Sequence, residues 1–301
     1  MHFHSEDNHM KRTKIILLIL FVTISITAQK RIYKMSKEEI NELLIQKSSE
    51  NLTVTERMNF FSEMFLGMPY GLTCVGDGPY ALYDTKPLLT FDTTNCMVFC
   101  EDVLALSISD DYENFFNNLQ QIRYKDGIIG MKTRNHYTMG DWLPENSWLL
   151  HSVAKEVAGK DTKTLTRTIS HKKFFKRKGI TDMRYVKEDR TITINYIPFE
   201  VLPKVKEKIK DGDILALMFR NLDNIFSGHM LMAYDTPNGK VIRESSLSKN
   251  TTLDTPYDDW VKKFEHSKKY IGIALMRVND EINHKGEIVL PWEICKLRRK
   301  K

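Results

Sequence analysis

Cysteine is scarce in this chain, with only four residues among 301. They are Cys74, Cys96, Cys100 and Cys295. So few cysteines exclude a fold held together by a disulfide scaffold. They also match no zinc pattern, because Cys96 and Cys100 stand four apart without a second pair or a nearby histidine pair. The sequence therefore predicts no metal and no cofactor.

Long apolar runs are also missing, apart from one stretch near the amino terminus. Residues 15–26 are almost wholly apolar, follow three basic residues and precede Thr27-Ala28-Gln29. About a dozen apolar residues fit a signal peptide, whereas a membrane span needs about 20. We therefore predict a signal peptide over residues 1–29, with Met10 as an alternative start. The mature protein is then periplasmic or secreted, with no stable membrane span after cleavage. The alternative is an uncleaved amino-terminal anchor.

Nucleic-acid binding has no support in the sequence. The net charge is only +6, and the basic residues are not interleaved with aromatic residues in any known binding motif. We find no internal repeat, no low-complexity segment and no linker that would divide the chain. The sequence therefore predicts one domain over residues 30–301, with an inserted loop-rich segment near 107–200.

The order of helical and extended patterns predicts the fold class. Ser36 with Glu39, and Thr53 before an apolar helical face, have the residues of helix starts. Further helices are expected after Cys96 and over 111–122, 147–157 and 199–210. Strands are expected over 191–197, 211–219, 228–234, 240–246 and 270–278, with Asn238-Gly239 as a hairpin turn. Helices followed by antiparallel strands indicate an α+β fold.

Cys96 is the first candidate for chemistry. It follows Asp92-Thr-Thr-Asn95, a run of residues that cap helices, so it falls in the first turn of a helix. The free amides and the dipole of that turn favour a thiolate, which is the nucleophilic form of cysteine. The same amides can hold an oxyanion. The alternatives are a small buried residue or a disulfide with Cys100 or Cys295.

A thiolate nucleophile needs a base, and the base needs a partner that orients it. His229 begins a strand predicted to be buried, which would hold its ring rigidly; the alternative is a core or loop histidine without a catalytic role. The hairpin brings Glu244 or Ser245 beside that strand, and a carboxylate there could orient the imidazole. Glu244 could equally be an exposed strand residue.

Seven short motifs, taken in order, resemble those of one known family. They are Phe65-Leu-Gly-Met-Pro-Tyr70, Asp92-Thr-Thr-Asn-Cys96 with Glu101, Arg123-Tyr…Gly127, His136-Tyr-Thr…Asp141-Trp142, Gly212-Asp213, Ser227-Gly-His229 and Arg243-Glu-Ser-Ser246. Over roughly residues 55–278 the chain resembles the N-acetylmuramoyl-L-alanine amidase-like proteins (domain of unknown function 1460). That family is placed among the NlpC-type papain-like cysteine hydrolases.

The resemblance implies a fold and a set of roles. The fold would be papain-like, with a helix-borne cysteine packed on an antiparallel sheet and with helical amino-terminal and mid-chain additions. Cys96 would be the nucleophile, His229 the base and Glu244 the orienting residue, with Ser245 as the fallback. The residues implied in substrate binding are Tyr70, Asn95, His136, Tyr137, Asp141, Trp142 and Ser245. The loop around Trp142 could equally be a packed lid over the core.

The resemblance also implies a function. We expect an exported cysteine amidase that hydrolyses the amide between N-acetylmuramic acid and L-Ala in peptidoglycan or its muropeptide fragments. One alternative is an NlpC-type endopeptidase that cleaves the bond between D-Glu and the diamino acid. Another is a non-catalytic cell-envelope binding protein on a hydrolase scaffold.

Overall fold

The structure, a computed structural model, describes residues 30–300. The predicted signal peptide over residues 1–29 and the alternative start at Met10 lie outside these residues. Within residues 30–300, no helix combines the length and apolarity that crossing a bilayer requires.

Ten α-helices lie within residues 30–300, and those with predicted caps begin where the caps predicted them. The ten helices are α1 (Lys37–Ser49), α2 (Val54–Met64), α3 (Cys96–Ser107), α4 (Tyr112–Arg123), α5 (Leu143–Glu145), α6 (Ala154–Ala158), α7 (His171–Arg177), α8 (Leu202–Val205), α9 (Tyr257–Phe264) and α10 (Ile294–Arg299). Ser36 and Thr53 each close a capping box, with Glu39 and Glu56 respectively. Asp111 caps α4. These starts are confirmed because reciprocal side-chain bonds satisfy the amides that a helix end leaves free.

One antiparallel sheet forms the centre of the molecule. Its strands are β1 (Leu150–Ser152), β2 (Lys163–Ile169), β3 (Arg190–Pro198), β4 (Ile214–Phe219), β5 (Ser227–Thr236), β6 (Gly239–Ser246), β7 (Thr251–Pro256) and β8 (Tyr270–Val278). They lie in the order β2-β3-β8-β4-β5-β6-β7, and β1 also pairs with β8. The predicted α+β class and the β5–β6 hairpin are both present.

Helices cover both faces of this sheet. Ile214 and Ala216 point into a core shared with α1 to α4, while Leu215 and Leu217 point into a second core with α6, α8 and α9. Successive residues of a strand face opposite sides of the sheet. Burial of both sides explains why β4 is a continuous apolar run rather than an alternating one.

Two predicted helices are present only in part. Residues 147–157 contain β1 and the short α6, because Leu150 pairs with Val278 on β8 and this tertiary contact overrides the local helical preference. Residues 199–210 form α8 between two 3₁₀ turns, Phe199–Val201 and Lys206–Lys208. Pro203 fits the first turn of a helix but not its interior, so one long helix cannot form there.

The mid-chain segment near 107–200 contains regular structure beyond α4. It includes the β2–β3 hairpin and α7, which pack against the π-helical turn Thr138–Trp142. The division into a leader and one domain over 30–301 stays a prediction.

Candidate active site

Cys96 is the first residue of α3. The preceding Asn95 caps the helix, because its Oδ1 accepts hydrogen bonds from the amides of Met97 and Val98, each at 3.0 Å. The amide of Cys96 itself takes no part in these two hydrogen bonds. The sulfur therefore lies at the positive end of a 12-residue helix, where a negative charge is stabilised.

His229 on β5 reaches this sulfur. The Cys96 side chain and the His229 imidazole are hydrogen-bonded to each other. On its other side, His229 Nε2 lies 2.5 Å from Glu244 Oε2 on β6. Glu244 is 5 % exposed, so little water competes for that carboxylate. The structure thus brings a thiol, an imidazole and a carboxylate into one chain of contacts.

The electrostatics of these contacts favour a charged pair. Burial alone would raise the pKa of the Cys96 thiol, but the hydrogen bond and charge of His229, with the amides of Met230 and Met97, lower it. Burial would likewise lower the pKa of His229, but Cys96 and Glu244 together raise it to about 9. Both shifts have the same direction: the contacts favour a thiolate on Cys96 beside an imidazolium on His229. A thiolate is the form of cysteine that attacks a carbonyl carbon.

One backbone amide at the site was not found from the sequence. The Met230 N–H, next to His229 on β5, helps to lower the pKa of Cys96, together with the Met97 N–H of the first turn of α3, where the sequence had led us to expect such amides. A main-chain donor has no side-chain signature, so the sequence could reveal the Met230 amide only once the strand was placed. The two amides supply the stabilisation of negative charge that a cysteine nucleophile requires.

An open groove of about 550 Å³ surrounds Cys96, His229 and Glu244. Tyr70 lines it, as predicted for this residue, and burial together with the charges of Cys96 and Cys74 raises the pKa of Tyr70 to about 12. The tyrosine is fixed by its parallel bridge with Thr94, two residues before Cys96. Because the pKa of Tyr70 is raised, its hydroxyl keeps its proton and is a hydrogen-bond donor at neutral pH.

The structure corrects the expected roles of Asn95 and Ser245. Both ends of the Asn95 amide are used within the protein: the oxygen caps α3, and Nδ2 donates to Leu72 O at 3.2 Å. Ser245 is completely buried and donates to Thr94 O at 3.2 Å, on the opposite side of β6 from Glu244. These residues position the site, and Glu244 rather than Ser245 is the one that touches His229.

The aromatic loop also differs from its expected place along the groove. Asp141 and Trp142 are completely buried, and Tyr137 is 6 % exposed, so none of these side chains is open to a substrate. His136 packs against Phe174 of α7 with ring centroids 4.5 Å apart. The alternative of a packed lid over the core describes this loop correctly, because its aromatic rings pack against α7.

Asp141 is the centre of a buried ionic network that was not predicted. His171 Nε2 lies 2.7 Å from its Oδ2, and Arg190 and Lys187 lie 2.8 and 3.4 Å from its Oδ1. Burial opposes ionisation, but His171, Lys187 and Arg190 hold the pKa of Asp141 below its usual value. His171 is followed by Lys172 and Lys173, so its sequence neighbours do not indicate a buried position. Its burial became visible only in the tertiary structure.

The remaining thiols are free within residues 30–300. Cys74 is half-buried, Cys100 is buried and Cys295 is exposed. Burial, with the charges of Cys96 and of acidic neighbours, raises the pKa of Cys100 well above its usual value, which makes it a poor nucleophile. The alternative of a disulfide at Cys96 therefore finds no support in the described chain.

The acidic groups near the site suit neither a metal nor a pair of catalytic carboxylates. Over residues 30–300, no three side chains of His, Cys, Asp or Glu form a group that could hold a metal ion. Among the residues that line the groove, Glu244 alone carries a carboxylate, and His229 binds it.

The fold and the amidase-like family together define the class of protein, a hydrolase related to peptidoglycan amidases. Residues 60–269 match the model of the AmiA-like family, described as N-acetylmuramoyl-L-alanine amidase-like, and the chain belongs to that family. The resemblance seen in the motifs is thus confirmed. None of the curated proteins compared with the chain matches it.

Solved structures share the fold at low sequence identity. A Legionella pneumophila protein of the DUF1460 family superposes with a TM-score of 0.74 at 21% identity, covering 84% of this chain and 96% of its own. An N-acetylmuramoyl-L-alanine amidase from Bacteroides uniformis gives a TM-score of 0.61 at 24% identity, covering 75% and 99%. A candidate xylanase from Bacteroides fragilis gives a TM-score of 0.59 at 23% identity, covering 72% of this chain and 98% of its own.

Proposed function

We propose that the protein is an exported, papain-like cysteine amidase of the NlpC type that hydrolyses the amide between N-acetylmuramic acid and L-Ala. Peptidoglycan or its soluble fragments would be the substrate, in the periplasm or outside the cell. The observation that carries this proposal is the continuous contact from Cys96 through His229 to Glu244 at one open groove. Membership of an amidase-like family supports the choice of substrate.

Each step of acyl transfer has a residue in place. The Cys96 thiolate attacks the amide carbonyl, and the C–S bond forms as the carbonyl oxygen becomes an oxyanion. The Cys96 amide at the tip of α3 and the Tyr70 hydroxyl are the donors available for that oxygen. His229 passes its proton to the leaving amine as the C–N bond breaks. It then takes a proton from water, which hydrolyses the thioester to the acid and restores the thiolate.

The test begins with Cys96→Ala and a purified muropeptide. We expect turnover to fall by at least about a thousand-fold, because no other group can supply the nucleophile. Cys295→Ser is the matched control, since this exposed thiol lies outside the groove. Its activity should equal that of the unmodified protein. Activity that survives Cys96→Ala would contradict the mechanism.

Mass spectrometry of the products decides which bond is cut. An amidase releases a peptide that begins with L-Ala, whereas the endopeptidase separates D-Glu from the diamino acid. Iodoacetamide labelling provides the test of the non-catalytic alternative, because a binding protein has no need of a reactive Cys96. We expect labelling of Cys96 at neutral pH and full activity in EDTA. An unreactive Cys96 without turnover would establish the binding protein instead.

A further inference from the structure

Two lysines line the groove that contains Cys96 and His229. Lys263 lies in the last turn of α9, and Lys269 immediately precedes β8. Both side chains are exposed to solvent. The groove therefore has a cationic end, in addition to the charged pair at its centre.

The charge of these lysines is not balanced by a neighbouring acid. Among the side chains of residues 30–300, neither Lys263 nor Lys269 has a carboxylate within ion-pair distance, although many other lysines of the chain do. Glu244 is the one acid on the groove, and it is bound to His229. Two free cations beside a single neutralised acid make the groove attractive to anions.

Aromatic rings support the two ammonium groups. Lys263 Nζ lies 5.2 Å from the ring centroid of Phe264. Lys269 Nζ lies 4.9 Å from the centroid of Tyr270 and 5.6 Å from that of Phe219. Rings at these distances attract a cation without neutralising its charge, so the ammonium groups remain available to a ligand.

The aromatic wall is packed against the strand that carries the imidazole. Phe219 and Tyr270 are stacked with centroids 5.2 Å apart. Phe219 also lies directly over Gly228, where an added Cβ would come within 2.2 Å of the ring. Gly228 precedes His229, so the wall below the lysines and the catalytic strand form one packed unit. The wall that supports the lysines is thereby held beside the strand of His229.

We propose that Lys263 and Lys269 bind a free carboxylate of the substrate, on the amine side of the amide that is cut. This inference rests on the proposed function and specifies its substrate as an acidic stem peptide. Amide formation consumes the lactyl carboxyl of muramic acid, so the glycan side has no carboxylate to offer. The stem peptide does have a free carboxylate, because a D-Glu linked through its γ-carboxyl retains its α-carboxylate. The peptide therefore lies toward the lysines.

Charge reversal with paired substrates tests the assignment. K263E/K269E is compared with K262E/K268E, which makes the same change of charge on exposed neighbours outside the groove. Each is assayed on a muropeptide with the free D-Glu carboxylate and on the same compound with that group amidated. We expect K263E/K269E to raise KM for the acid by about ten-fold or more, with a small effect on the amide and little change in kcat. Equal effects on both substrates, or from both variants, would overturn the proposal.

A second measurement does not depend on amide cleavage. Alkylation of Cys96 by anionic iodoacetate and by neutral iodoacetamide is followed by mass spectrometry of the Cys96 peptide. We expect the rate ratio of iodoacetate to iodoacetamide to fall several-fold in K263E/K269E and to stay constant in K262E/K268E. An unchanged ratio would refute the cationic subsite even in an active amidase. If the ratio falls in K263E/K269E but the unmodified protein cleaves no muropeptide, the cationic subsite is supported and the proposed function is contradicted.

Discussion

At the scale of single residues, Glu244 controls the charge of the site. Its carboxylate lies 2.5 Å from His229 Nε2 and is one reason why the pKa of that imidazole is raised to about 9. The charged thiolate–imidazolium pair is present above the lowered pKa of Cys96 and is lost as the pH rises through the raised pKa of His229. Activity should therefore form a bell-shaped profile whose alkaline limb falls near pH 9.

Glu244→Gln should move that alkaline limb to lower pH. The substitution removes a negative charge that favours the imidazolium, so His229 loses its proton earlier. We expect kcat/KM to fall by at least about ten-fold at neutral pH, because the ring also loses its orienting carboxylate. The measurement is the pH dependence of kcat/KM, with Glu207→Gln, an exposed glutamate far from the groove, as control. An alkaline limb that does not move would show that Glu244 does not act on His229.

At the scale of elements, α3 carries Cys96, the proposed nucleophile, and is anchored in the core. Asn95 fixes its first turn, and Arg123 of α4 holds its middle through Glu101 at 2.8 Å and Asp102 at 3.4 Å. These acids are buried, so a single arginine joins the two helices where water cannot compete. Burial, partly offset by Arg123, raises the pKa of Asp102 to about 8. The position of Cys96 thus depends on contacts made along the whole helix.

Asn95→Ala should destabilise the start of α3. Loss of the cap leaves the amides of Met97 and Val98 without their acceptor and costs about 1 kcal/mol in the free energy of unfolding. Urea denaturation measures this change. Asn95→Asp keeps the acceptor but loses the bond to Leu72 O, so it should restore part of the stability, and its charge should raise the pKa of Cys96, seen as slower iodoacetamide labelling. Equal stability of all three proteins would contradict the capping role.

At the scale of the whole molecule, helices cover both faces of the sheet, and the β2–β3 hairpin lies at one end of the strand order. Asp141 attaches this hairpin by meeting His171 of α7 and Arg190 of β3. The sequence had suggested that Asp141 binds a substrate amine. Its complete burial instead assigns it to the joining of distant segments.

Asp141→Asn should loosen this attachment and leave catalysis intact. Removing the negative charge of buried Asp141 leaves Lys187 and Arg190 without their counter-ion, which costs about 3 kcal/mol in the free energy of unfolding. The stability due to Asp141 is present at neutral pH and is lost in acid, as the pH falls through its lowered pKa. We expect a lower Tm and faster proteolysis of the 170–190 segment, with KM unchanged. A selective rise in KM would instead return Asp141 to the substrate groove.

Much of the local structure follows from the sequence, because short-range signals specify it. Capping residues predicted the starts of α1, α2 and α3, and Asn238-Gly239 predicted the hairpin. The contact of Glu244 with His229 was anticipated from that hairpin, although an exposed Glu244 remained open. The helix predicted over 147–157 is present only in part, because β1 pairs with a strand more than 100 residues away, and no local pattern records such a partner.

The α+β class, the family and the residue types at the site can be predicted from the amino-acid sequence, since these depend on local periodicity and short motifs. Which groups meet depends on how the chain folds in three dimensions. The tertiary structure placed the Met230 amide beside Cys96, turned Ser245 into the core and enclosed Asp141 among cations. It also set Lys263 and Lys269 beside the groove. Burial and contact arise from distant segments packing together, and that information is spread over the whole chain.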